Sequence, residues 1–223
     1  MKKVLFLSLS MLTAVLVFAQ SDKYVKAMEP HVAALDTSQS ADALTDLANT
    51  FQRIADAEKT QWLPYYYASL STIMSGFMLQ QRDAAKTDPL ADKAEALLVK
   101  AETLNNTTTG DAKAKNESEI HIVKKMISNL RMMADPMNRY QKYGAIGQEA
   151  LDKAKALNAA NPRIPMLEGQ DLFYTPEEFG GSKAKAKVLF EEAIKKFEAT
   201  KPASTIEPQW GLPQAKYFYS MSK

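Results

Sequence analysis

Beyond position 20, apolar residues recur at intervals of three and four along most of the chain, the spacing that gathers them on one face of an α-helix. Tyr24, Met28, Val32 and Leu35 form the first stripe, and Pro30 inside it predicts a kink or a split. Residues 36–40 read as a turn with Ser40 as N-cap. The next helix, over about 41–58, carries Leu44, Leu47, Ala48, Phe51, Ile54 and Ala55. A third runs from about 60 to 81, with Pro64 in its first turn, where no N–H is required. Thr87-Asp88-Pro89 marks a fourth start, and Leu90, Ala94, Leu97, Leu98 and Ala101 its buried face to about 104. The polar stretch 105–116 reads as a solvated loop. A fifth helix over 117–134 buries Ile120, Val123, Ile127, Leu130 and Met133. Asp135-Pro136 stops it, glycines at 144 and 147 break the chain again, and a sixth helix covers about 148–158. Two more helices follow, near 163–173 and 182–200 with Ser182 as N-cap. A last one, near 210–221, should cover the end of the stack.

Some of these helices repeat a packing scheme. Ala186-x3-Phe190-x2-Ala193 matches Ala94-x3-Leu98-x2-Ala101, and Gly147-x3-Leu151-x2-Ala154 is a looser copy. The preceding helices match as well, Pro64-x3-Ala68 against Pro165-x3-Gly169. Small residues allow close helix approach, and the large residue between them fills the gap. Such a hairpin cannot bury its apolar face alone, so it requires neighbours of its own kind.

A small residue on one helix, then Ala-x3-aromatic-x2-Ala on the next, with Asn161-Pro162 between units, resembles the tetratricopeptide repeat. Gly169, Ala186, Phe190, Ala193 and Pro162 match its pattern, whereas Pro165 stands where the consensus has Trp and the 174–181 loop is longer than the consensus allows. Trp62-Leu63-Pro64-Tyr65-Tyr66 and Pro208-x-Trp210-Gly211 also look like exported tetratricopeptide-like proteins of Gram-negative bacteria. The resemblance implies an all-α, right-handed α-solenoid of about four helical hairpins with a C-terminal capping helix. It also implies a concave groove lined by the first helix of each hairpin, where a protein or peptide partner lies. On that register the groove residues are Trp62, Tyr65, Ser69 and Thr72, then Arg163, Met166, Gln170 and Phe173. The plainer alternative for each aromatic is core or inter-repeat packing, and for Met126, Met132, Met133 and Met137 a soft core filler.

The first 19 residues stand apart. Lys2 and Lys3 precede an apolar run over 4–18, and Val17-x-Ala19 supplies the small residues of a cleavage site, so 1–19 reads as a cleaved signal peptide and 20–223 as one helical-repeat domain. The run falls short of the roughly 20 residues of a membrane span. Without cysteine the chain lacks a lipid-anchoring residue, which points to the periplasm or the exterior, and packing alone must supply its stability. Removal of 1–19 leaves 26 basic and 26 acidic residues, a neutral chain with no field to attract nucleic acid.

Catalytic constellations are missing. The two histidines, His31 and His121, fall in different hairpins, and no Gly-x-Ser-x-Gly occurs. Glu117 and His121, four apart on one helix, read as a surface pair, since two ligands do not define a zinc site. Gly180-Gly181-Ser182-Lys183 reads as a structural turn and cap rather than an anion loop. No cofactor and no metal are expected. The reading is a non-enzymatic module for protein–protein interaction in the bacterial envelope. The alternative is a small-ligand-binding accessory of a transporter, its pocket walled by aromatics with Tyr174 or Phe179 at the mouth. In the plainer reading of the 174–181 loop, Phe179 tucks back as a plug and Gly180-Gly181 supply the turn.

Overall fold

A computed structural model describes residues 22–81 and 83–222, so the expected signal peptide lies outside the described residues. These residues form helices α1 (22–34), α2 (Ala41–Glu58), α3 (Trp62–Phe77), α4 (Ala84–Asn105), α5 (Gly110–Met133), α6 (Pro136–Leu157), α7 (Arg163–Tyr174), α8 (Lys183–Ala199) and α9 (Leu212–Met221). The described chain is all-α. From α2 to α6 each helix packs on its neighbours in sequence, and α7, α8 and α9 do the same.

Local signals placed several ends correctly. Ser40 accepts from the Ala43 N–H at 3.1 Å and Ser182 from the Lys185 N–H at 3.2 Å, as N-caps do. Elsewhere proline and glycine mislead. α1 runs unbroken through Pro30, because Tyr24, Met28 and Leu35 on either side are all buried. α4 starts at Ala84 rather than 87: Asp83 caps it, accepting from the Lys86 N–H at 3.0 Å, and Pro89 lies within the helix. The expected loop 105–116 shrinks to 106–109, with Asn116 Nδ2 donating to Asn105 Oδ1 at 2.8 Å. α6 continues through Gly144 and Gly147. A Cβ at Gly147 would stand 3.0 Å from the Lys125 side chain and 3.3 Å from Ser128 Cβ, so this glycine permits close packing on α5.

The small residues do wedge between helices. Ala68, Ala94, Ala101, Ala154, Ala186 and Ala193 are fully buried, and a Cβ at Gly169 would come within 2.7 Å of the Phe190 ring. α3 is apolar nearly all round and is enclosed on all sides, as such helices are.

A buried polar network joins the two halves. Glu119 on α5 accepts from Tyr66 Oη (2.8 Å), Asn161 Nδ2 (2.8 Å) and Arg163 Nη1 (2.9 Å). Trp210 Nε1 donates to Tyr66 Oη at 2.8 Å, and the Arg163 guanidinium lies 4.5 Å from the Trp210 ring centroid. Burial pushes the Tyr66 hydroxyl well above its ordinary pKa, and the Glu119 charge adds to this, so it stays protonated and donates. Tyr67 Oη donates to the Ile206 carbonyl at 3.0 Å and the Gly211 N–H to Asp36 at 3.1 Å, tying the segment before α9 to α3 and to the turn after α1.

Candidate functional site

The residues expected to line a peptide groove are largely enclosed. Tyr65, Ser69, Thr72, Arg163 and Met166 are buried. Ser69 Oγ donates to the Ala94 carbonyl (2.8 Å) and Thr72 Oγ1 to the Ala68 carbonyl (2.7 Å), while Arg163 belongs to the Glu119 network. Trp62, Gln170 and Phe173 are half-buried, with Phe173 edge-on to Phe218 at 5.3 Å between centroids. The face assigned to ligand is therefore a packing face, because α3 and α7 are covered by their neighbours.

The 174–181 loop also departs from expectation. A 3-10 turn over Glu177–Phe179 turns Phe179 outward, 74% exposed, so it is not a plug. Gly180 has φ +92°, and a Cβ at Gly181 would overlap the Thr175 carbonyl oxygen at 1.7 Å, so both positions require glycine. Neither Tyr174 nor Phe179 lines either of the two cavities described below. Of the methionines, Met126 is buried, Met132 and Met133 are half-buried, and Met137 is exposed.

The open concavity lies elsewhere. α4 and α6 flank α5, and above α5 they enclose a cleft of about 500 Å³, within the usual range for small-molecule sites. Leu98, Ile127 and Ala150 give it a buried apolar floor. Val99 on α4 and Ile146 on α6 also line it, 54% and 46% exposed, so two branched apolar side chains remain in water. Near one end, Arg139 on α6 reaches Asp88 on α4 through two parallel hydrogen bonds (2.7 and 2.9 Å), linking the two walls. A second concavity of about 490 Å³ is lined by Glu29, Val32, Ala33, Asp36, Thr205, Gln209 and Trp210, between α1 and the segment before α9.

Charges ring the cleft in matched pairs, with one exception. Lys124 holds Glu102 (2.8 Å), Arg131 holds Asp92 and Glu95 (each 2.7 Å), and Lys153 holds Glu149 (2.7 Å). Lys142 makes no salt bridge among the described residues; its ammonium lies 5.1 Å from the Tyr143 ring centroid. His121 also lines the cleft. Its Nδ1 is buried without a partner, and no hydrogen bond of the described residues involves its ring. Burial, with the Lys124 charge, holds the imidazole below its ordinary pKa and keeps it neutral near pH 7. The expected Glu117–His121 surface pair does not form: Glu117 approaches Lys113 (3.8 Å), and His121 turns into the cleft. No group of three or more side chains able to hold a bare metal ion occurs among the described residues.

The cleft residues escaped the sequence reading because each helix was assigned one buried stripe. Val99, Ile146 and His121 lie outside the stripes of α4, α6 and α5, and three helices must be placed before these residues meet. The available signal was a second apolar or aromatic set among charges, such as Tyr143-x2-Ile146.

No family model and no curated protein matches the sequence. Among solved structures, the HusA haemophore from Porphyromonas gingivalis superposes with a TM-score of 0.75 at 34% identity, over 90% of this chain and 92% of that one. Identity at that level across nearly both full lengths is more than a shared architecture, and the chain belongs to the family of the HusA haemophore.

Proposed function

We propose that this protein is an exported, non-enzymatic carrier that binds an iron porphyrin in the cleft between α4, α5 and α6. The observation that carries the reading is the pair Val99 and Ile146, held in water on either side of a buried apolar floor with Lys142 unpaired beside it. A porphyrin presents two apolar faces and two carboxylates at one edge, and matches that arrangement. The family relationship to a haemophore supports the ligand class, and the leader over residues 1–19 supports export. The stacked hairpins, with small residues at the helix contacts, support a tetratricopeptide-like scaffold beneath the site. A polypeptide groove is less well supported, since five of its eight expected residues are enclosed.

Absorbance titration with haemin tests the reading. Each apolar side chain that a ligand covers contributes about 1–2 kcal/mol. Val99→Glu with Ile146→Glu should therefore weaken haemin binding at least about 30-fold. Both positions face solvent in the free protein, so the fold should hold by circular dichroism. Unchanged haemin affinity in that variant would remove the cleft from consideration.

A further inference from the structure

We propose that the outer surface of α7–α9 binds a second copy of this chain, forming a two-fold symmetric dimer. No residue of these three helices lines the cleft, so the proposal is independent of what the cleft holds. The helix that closes a stack of hairpins ordinarily turns a polar face to water. α9 instead presents Tyr217 and Met221, both exposed. Tyr174, at the end of α7, and Phe179, in the loop before α8, are more exposed still. Large apolar side chains left together in water mark an interaction surface.

Most of these rings are linked. Phe218 stacks on the buried Phe190 at 5.5 Å between centroids, and Phe173, Tyr174 and Tyr217 stand edge-on to Phe218 at 5.3, 5.7 and 5.4 Å. Phe190 and Phe218, with Ala186, form a small buried cluster separate from the main core. The ladder is thus anchored at Phe190, while Tyr174 and Tyr217 reach solvent. Tyrosines held in this way offer rigid contact area at little cost in side-chain ordering.

The charges beside the rings select the occupant. Glu177 and Glu178 precede Gly180-Gly181, and Lys183, Lys185 and Lys187 follow it. None of the five makes a salt bridge among the described residues, whereas Lys195, Lys196 and Lys216 nearby all do. The ammonium groups of Lys183 and Lys187 lie 5.3 Å from the ring centroids of Phe173 and Tyr219. Both signs therefore stand unmatched beside one aromatic surface. An anionic bilayer would be repelled by the glutamates next to Phe179, and a partner of a single sign would match only one set. In an isologous contact the patch meets itself about a two-fold axis. The glutamates of each copy then face the lysines of the other, with the aromatic rings between them. A second copy satisfies both sets at once.

The test is analytical ultracentrifugation of the intact mature protein at concentrations up to about 1 mM. The wild type should form a reversible dimer whose share rises with concentration, as mass action requires. Tyr174→Ser with Tyr217→Ser should weaken association at least about 30-fold, the scale of a central tyrosine contact. Glu177→Lys with Glu178→Lys makes the patch wholly basic, and Lys183→Glu with Lys185→Glu makes it largely acidic. Acidic residues suit the first turn of a helix, so α8 should persist in the second variant by circular dichroism. Each charge variant alone should be monomeric, and an equimolar mixture of the two should recover the dimer. A wild type that stays monomeric overturns the proposal. So does a dimer that persists in both charge variants, or a mixture of monomeric variants that fails to associate. Co-sedimentation of a monomeric wild type with phosphatidylglycerol vesicles would overturn it in favour of a membrane-facing surface.

Discussion

Replacing Glu119 by methionine tests what joins α5 to α7. The carboxylate accepts three hydrogen bonds, from Tyr66, Asn161 and Arg163, in a nearly closed site. Glu119→Met removes all three and leaves the Arg163 guanidinium buried without its counter-ion, with Nε and Nη2 already unpaired. Breaking a buried ion pair from one side costs about 3–5 kcal/mol, whereas replacing both partners with apolar groups of similar size is often neutral or better. Arg163→Met alone should therefore cost a similar amount. The double variant should cost no more than either single, since the Tyr66 and Asn161 donors lose their acceptor in both Glu119 variants. The coupling then comes to at least about 3 kcal/mol. Urea unfolding followed by circular dichroism measures all four corners, and each single should lower the Tm by roughly 6–20 °C for a domain of this size. Two results would refute the argument: a Glu119→Met cost below about 1 kcal/mol, or single costs that add within about 0.5 kcal/mol.

Two further substitutions probe the scaffold. Gly169→Ala places a Cβ within 2.7 Å of Phe190, which is pinned by a stacked contact with Phe218 (5.5 Å), so it should cost about 1–3 kcal/mol in denaturant unfolding; a neutral result would show that α7 and α8 can separate freely. Asp88→Asn addresses the link across the cleft. The Arg139 hydrogen bonds hold the Asp88 carboxyl below its usual range, so the unfolded chain binds this proton more readily than the folded one. The stability it contributes is therefore present above the ordinary carboxylate pKa and lost as pH falls through the lowered folded value. The stability gap between wild type and Asp88→Asn should be flat from pH 7 to about 5 and close below about pH 4, and a gap unchanged at pH 3 would contradict the assignment.

Helix existence and the core were legible because both are local or periodic. The stripe from Leu44 to Ala55 and the caps Ser40 and Ser182 needed no knowledge of neighbours. Helix boundaries near 87 and 144–147 differ from expectation because proline and glycine punctuate a chain in isolation but packing overrides them. The one near 117 differs because the polar stretch before it continues the helix back to Gly110. α4 continues through Pro89 with Asp83 capping its start, and Gly147 serves as a contact point rather than a break. The tetratricopeptide register placed its groove on α3 and α7, where neighbours leave no opening. The cleft depends on three helices meeting, and no window along the sequence contains it.

α5 works as a partition. On one side Glu119, Lys125 and Met126 hold the stack together, with Lys125 reaching Asp171 of α7 at 2.8 Å. On the other side His121, Ile127 and Arg131 face the cleft. Substitutions at 99, 121, 142 or 146 leave the first set untouched, so under the proposed function ligand preference can change while the architecture stays constant. A single wall with a structural room behind it and a working room in front lets descendants refit one without rebuilding the other.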